Sequence, residues 1–143
     1  MIVAIRIKGR VNVPREIRDT LHLLRLRKKF ACSIYPEKKE ILGMLEKASA
    51  YISYGKINEA TLRALIEKRA RKPGNKKLNP REVDDVVKML TKEKFDEAFK
   101  LIKPFFRLSP PKGGFKKSTK LMWPRGIKGN IGGEINKLIE RMI

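Results

Sequence analysis

The sequence predicts an α+β protein with a β-α-β-α-β core in residues 1–57 and a helical insertion over 58–104. A basic extended segment, 105–143, then ends in a short helix that returns to the core. Three observations carry this: period-two apolar alternation at the N-terminus, period-3.6 patterns punctuated by Pro-Gly and Asn-Pro, and a stretch from 105 to 133 with neither period.

Residues 2–8 alternate as a strand, with Val3, Ile5 and Ile7 on one face and Ala4, Arg6 and Lys8 on the other. Gly9 and Pro14 mark a turn. A helix follows from about 15 to 26, with Ile17, Leu21 and Leu24 on its core side. A second strand over about 30–35 stops at Pro36, and a helix over about 38–47 places Ile41, Met44, Leu45 and Ala48 at core spacing. A third strand covers about 50–54, closed by Gly55. With both helices on one side, Arg6, Lys8, Ser33, Tyr35, Tyr51 and Ser53 would look outward, unless the C-terminal third folds back over that face, which is the favoured expectation.

Asn58 is a suitable N-cap for a helix built on Leu62, Leu65 and Ile66, which runs into the basic residues 68–72 and breaks at Pro73-Gly74. Asn79-Pro80 restarts a helix whose buried stripe is Val83, Val86, Val87 and Leu90. Phe95, Phe99 and Ile102 continue helically to Pro104. Residues 105–133 read as extended loop, and 134–142 as an amphipathic helix with Ile135, Leu138, Ile139 and Met142 on one side.

Thirty-five Lys and Arg against fifteen Asp and Glu leave a formal charge of +20, which calls for a polyanionic partner. The charge is uneven. Residues 105–133 hold seven cations and no acid, while 82–97 hold six of the fifteen acids. Arg15, Arg18, His22, Arg25 and Lys29 recur at spacings of three and four beside the first helix's core stripe. Phe105, Phe106, Phe115 and Trp123 add aromatic surface to the acid-free segment; core packing is the favoured role of Phe105 and Phe106, while Trp123 is balanced between packing and stacking on a base. Glycines 113, 114, 126 and 129 allow close backbone approach to phosphate.

Catalysis finds little support. One His and one Cys cannot assemble a metal set of their own, so no metal and no cofactor are expected. The glycines at 126–133 lack G-x-G-x-x-G spacing, and Gly113-Gly114-Phe115-Lys116-Lys117-Ser118 lacks the first glycine of a phosphate loop. The carboxylates at 82–97 read as a solvated helix face rather than a Mg²⁺ site. Cys32 lies in an apolar run and reads as a small buried residue. No signal peptide or membrane span is evident, so a cytoplasmic setting is expected.

Four stretches in order carry a family resemblance. They are Ile2-Val3-Ala4-Ile5-Arg6-Ile7-Lys8-Gly9, then Ile17-Arg18-Asp19-Thr20-Leu21-His22-Leu23-Leu24-Arg25-Leu26, then Gly43-Met44-Leu45-Glu46-Lys47 and Tyr51-Ile52-Ser53-Tyr54-Gly55. Together they resemble the large-ribosomal-subunit protein thirty family. Its longer archaeal and eukaryotic form is suggested by residues 106–114 and 135–142, and the lack of a long basic N-terminal extension favours the archaeal type.

The resemblance implies a ferredoxin-like core and a structural, non-enzymatic role on the large subunit. Implied partners are large-subunit rRNA in a region near 5S rRNA, 5S rRNA itself as a further candidate, and neighbouring ribosomal proteins; no membrane and no homo-oligomer are expected. The alternative is a free-standing RNA-binding assembly factor. Combined with the charge pattern, it places one phosphate-binding surface on Lys8, Arg10, Arg15, Arg18, His22, Arg25, Lys28 and Lys29. Gly43 and Met44 match the family's second-helix motif, where RNA backbone can approach, with core packing of Met44 an equal alternative. A second surface is expected on Lys112, Lys116, Lys117, Lys120, Arg125 and Lys128, with Trp123 stacking.

Overall fold

The computed structural model describes residues 1–143. The first part is β1 (Ile2–Arg6), α1 (Arg15–Leu23), β2 (Ala31–Tyr35), α2 (Lys39–Lys47) and β3 (Ile52–Lys56). Three helices follow, α3 (Glu59–Arg69), α4 (Pro80–Thr91) and α5 (Phe95–Leu101). Then come β4 (Phe106–Arg107), β5 (Ser118–Met122), β6 (Gly126–Asn130) and α6 (Glu134–Met142). The six strands form one sheet in the order β4-β2-β1-β3-β6-β5, with β1 antiparallel to both β2 and β3 and β6 parallel to β3.

Local chemistry explains several boundaries. Asn58 accepts the Thr61 N–H at 2.7 Å and Asn79 accepts the Glu82 N–H at 2.9 Å, so both asparagines cap their helices, and Pro80 opens α4 where no donor is needed. The first helix stops at Leu23 rather than near 26. Leu26 N–H bonds back to Leu21 C=O at 2.9 Å and Arg25 N–H to His22 C=O at 3.0 Å, with Arg25 left-handed at φ 61°. That bond pair is a Schellman stop with arginine in the place glycine usually takes.

The sheet is covered on both faces. Ile2, Ala4, Tyr35, Ile52 and Tyr54 pack with Leu21, Leu24, Leu45 and Ala48 under α1 and α2. Val3, Ile5, Ile7, Cys32 and Ile34 join a larger cluster of 24 residues drawn from α3, α4, α5, α6 and the chain after 105. One expectation is corrected by this. The face toward α1 and α2 is that of Ala4 and Arg6, not of Val3 and Ile5, and it carries Ser33 and Tyr35 with it by cross-strand register. The sheet leaves no open platform, in line with the favoured expectation of cover: Arg6, Ser33, Tyr35 and Ser53 are all buried. The physical reason is the apolar content of the second face, which a three-strand sheet would otherwise expose to water.

The extended loop expected at 105–133 is also corrected, because it contains three strands. The segment β6, Gly-Ile-Lys-Gly-Asn, has no strand signature of its own. Its partner β3 supplies the order: the two pair through Ser53 opposite Gly129 and Tyr54 opposite Asn130, Ser53 Oγ donates to Ile127 C=O, and Ile131 N–H reaches Tyr54 C=O at 2.9 Å. Gly126 is required by the protein itself, since a Cβ there would meet the carbonyls of Leu121 and Ser118. It is therefore not available for a phosphate in the way the sequence suggests.

Candidate nucleic-acid interface

The first turn is held by Arg6. Its side chain is 2% exposed and donates to three carbonyls: Nε to Lys8 at 2.9 Å, one terminal nitrogen to Leu26 at 2.8 Å, and the other to Gly9 at 3.2 Å. The guanidinium thus ties the turn after β1 to the end of α1. Burial, and then the charge of Arg10, lower its pKa from the ordinary arginine value. From this anchor Arg10, Arg15, Arg18, His22, Lys28 and Lys29 are all exposed, and Lys8 is half-buried. Arg25 differs: it is half-buried, with its guanidinium 4.9 Å from the Phe99 ring centre and 5.8 Å from that of Tyr35.

On α2, Gly43 is exposed and nothing lies within 4 Å of where its Cβ would be, whereas Met44 packs partly against the core beneath α1 and α2. The fold itself does not require glycine at 43, and glycine inside a helix costs about 1 kcal/mol against alanine. Gly43→Ala should therefore raise the stability of the free protein by about 0.5–1 kcal/mol in urea titration. Weaker RNA binding by this more stable variant would mark a close RNA approach, and unchanged binding would remove Gly43 from the interface.

The second expected surface divides. Lys112, Lys116, Lys117, Lys120 and Arg125 are exposed. Lys117 Nζ sits 4.0 Å from the Trp123 ring centre and donates to Pro124 C=O at 3.0 Å, so one face of the indole already carries a cation. Trp123 itself is half-buried against the larger core. Lys128 is not a loop cation. It lies on β6, is 8% exposed, and shares a cavity of about 380 Å³ with Lys8, Tyr51 and the turn at Gly9. Burial and then the Lys8 charge lower its pKa. The fold thus brings together two lysines that the sequence assigns to separate surfaces.

Five ion pairs form in the protein, and none uses a predicted RNA-binding cation. Two of them take up acids of α4, Arg63 with Asp84 and Lys72 with Glu82, so part of the acidic run neutralises α3 and the turn after it. No group of three or more His, Cys, Asp or Glu side chains is arranged to hold a metal ion. No helix is long and apolar enough to cross a membrane. Sequence reasoning missed Arg27, Arg69, Arg71, Lys103 and Arg107, which line two adjoining cavities. The signals were the basic run at 68–72, read there as a helix end, and Arg107 among the seven cations of 105–133.

Residues 2–52 match the family described as ribosomal protein L30p/L7e. The large ribosomal subunit protein uL30 of Staphylothermus marinus is 44% identical, with 97% of this chain and 96% of the relative covered. The chain belongs to the uL30 family. The uL30 proteins of Archaeoglobus fulgidus, at 38% identity over 99% of both chains, and Aeropyrum pernix, at 40% over 100% of this chain and 99% of the relative, are similar along their full lengths. The ferredoxin-like α+β architecture expected from the resemblance agrees with the mixed fold, and uL30 family proteins are structural rather than enzymatic.

Proposed function

We propose that this uL30 family member binds large-subunit rRNA, in a region near 5S rRNA, through phosphates held by the first turn and α1 on one side and by the β5–β6 region on the other. A structural role in the large ribosomal subunit follows from the family. The observation that carries the finer reading is the lack of internal neutralisation: none of the exposed cations on α1 or around β5 has a carboxylate partner in the protein. In free protein these charges repel one another, and RNA phosphate relieves that through counterion release. Lys8 and Lys128 support a continuous surface, since both line one cavity between the two regions.

The test is a titration of the full chain with large-subunit rRNA, with and without 5S rRNA, at several salt concentrations. Each lost phosphate contact should reduce the slope of log affinity against log salt by about 0.9 on duplex RNA, taking the B-form value as the guide. Arg15→Gln with Arg18→Gln should lower it by about 1.8 while leaving urea stability within about 0.5 kcal/mol. An unchanged slope would remove α1 from the interface. Equal affinity with and without 5S rRNA would remove the 5S-proximal part of the reading.

A further inference from the structure

We propose that a basic trough between the end of α1 and β4 seats an unpaired RNA nucleotide, with its base against Phe105 and its phosphates on Arg27, Lys28 and Arg107. This rests on the RNA-binding reading above, extends its first surface from Arg25, Lys28 and Lys29 to the β4 edge, and names a different form of RNA. The trough consists of two cavities of about 520 and 310 Å³ that share Phe105 and Arg107. Arg25, Arg27, Lys28 and Lys29 line the larger; Arg69, Arg71 and Lys103 line the smaller. No carboxylate lines either cavity, and none of these cations forms an ion pair.

The apolar part of the trough is fixed by the sheet edge. Alternation along β4 sends Phe106 into the large core at 1% exposure, leaving half-buried Phe105 and exposed Arg107 together on the other side. Phe105 therefore departs from the core role favoured for it in the sequence. Its position is held by Ser33 Oγ, which donates to Pro104 C=O at 2.8 Å, by the pairing of Cys32 with Phe106, and by Leu108 N–H to Phe30 C=O at 3.1 Å. Such a site needs little ordering when a ligand arrives.

Arg25 supplies a second, independent sign. It holds a left-handed backbone at a helix stop where glycine would be unstrained, and its buried Nε has no acceptor within the protein. It also lines the larger cavity.

The dimensions and chemistry select the occupant. Cavities of this volume suit a ligand the size of a nucleotide rather than a duplex. Guanidinium groups match phosphate bidentately, and a base plane covers aromatic surface that a chain of carboxylates would leave in water.

The experiment uses the full chain with a fluorescein-labelled eight-nucleotide single-stranded RNA and a duplex of the same sequence, read by anisotropy. Phe105→Leu should weaken the single strand about tenfold and leave the duplex within twofold, while Phe105→Tyr restores the parent affinity. Arg107→Gln should weaken the single strand as well. Single-strand affinity unaffected by Phe105→Leu would overturn the proposal. So would a deca-glutamate competitor that displaces the strand equally from the parent and from Phe105→Leu, because the trough would then be a site for an acidic peptide. Binding of rRNA by the parent, together with single-strand affinity that does not depend on Phe105, sinks the trough alone. Failure of the parent to bind any RNA sinks both this proposal and the function from which it follows.

Discussion

Replacing Arg6 by Met should cost about 3 kcal/mol of folding stability, more than any substitution among the exposed cations. The side chain is almost wholly buried and serves three main-chain carbonyls from two parts of the chain, those of Lys8 and Gly9 in the first turn and that of Leu26 after α1. Methionine fills much the same volume and removes every donor. The Leu26 carbonyl is buried and then has no partner, for a penalty of about 1–3 kcal/mol, and the two part-buried carbonyls add smaller losses. Removing a buried guanidinium that has no carboxylate partner returns part of this, so the net stays near the middle of the range. For a chain of this length the midpoint of thermal unfolding should fall by roughly 6–12 °C. Urea titration gives the direct measurement, and a loss below about 1 kcal/mol would show that water satisfies those carbonyls instead. The same variant should bind rRNA more weakly even where it remains folded, because the turn bearing Lys8 and Arg10 loses its tie to the end of α1.

Arg6 departs from the outward position that strand alternation gives it. In Ile5-Arg6-Ile7 the alternation sends arginine to the polar face, and that rule assumes the polar face is wet. Here α1 and α2 cover it, so the arginine is buried and takes its acceptors from the turn and the helix end. Features decided within a few residues were legible: the caps at Asn58 and Asn79, Pro80 at the first turn of α4, and the core stripes of α4 and α6. Features decided by distant partners were not. Strand β6 exists because β3 pairs with it, and Ser53 reaches Ile127 across 74 residues. Lys128 was misplaced for that reason: in a loop it would be free, and on a strand beside β3 it is buried. The basic trough was illegible in another way. Its cations come from 25–29, 69–71, 103 and 107, and each group alone looks like an ordinary solvated end of a helix or strand.

Gly55→Ala should destabilise the protein by about 3 kcal/mol, although it adds a single methyl group. Gly55 lies in β3 opposite Val3, on the face toward the larger core, and a Cβ there would overlap the Gly132 peptide with the carbonyl oxygen nearest. All three nearest atoms are backbone atoms of Gly132, so no side chain can swing aside. The strain must instead separate β3 from the chain that follows β6. That chain is fastened at several points: Ile131 N–H bonds to Tyr54 C=O at 2.9 Å, Asn58 N–H to Asn136 Oδ1 at 2.9 Å, and Asn136 Nδ2 to Lys56 C=O at 3.2 Å. It also delivers Ile135, Leu138, Ile139 and Met142 of α6 to the core. Loosening should therefore be local before it is global. Native-state hydrogen exchange should show protection falling first in β6 and α6 while β1 and β2 keep theirs. Uniform loss across the sheet would mean that the clash is absorbed elsewhere. The comparison with Gly43→Ala sharpens the test, since the same chemical change is expected to stabilise at 43 and to destabilise at 55. Only the surroundings differ: open solvent around a helix face in one case, a peptide plane in the other.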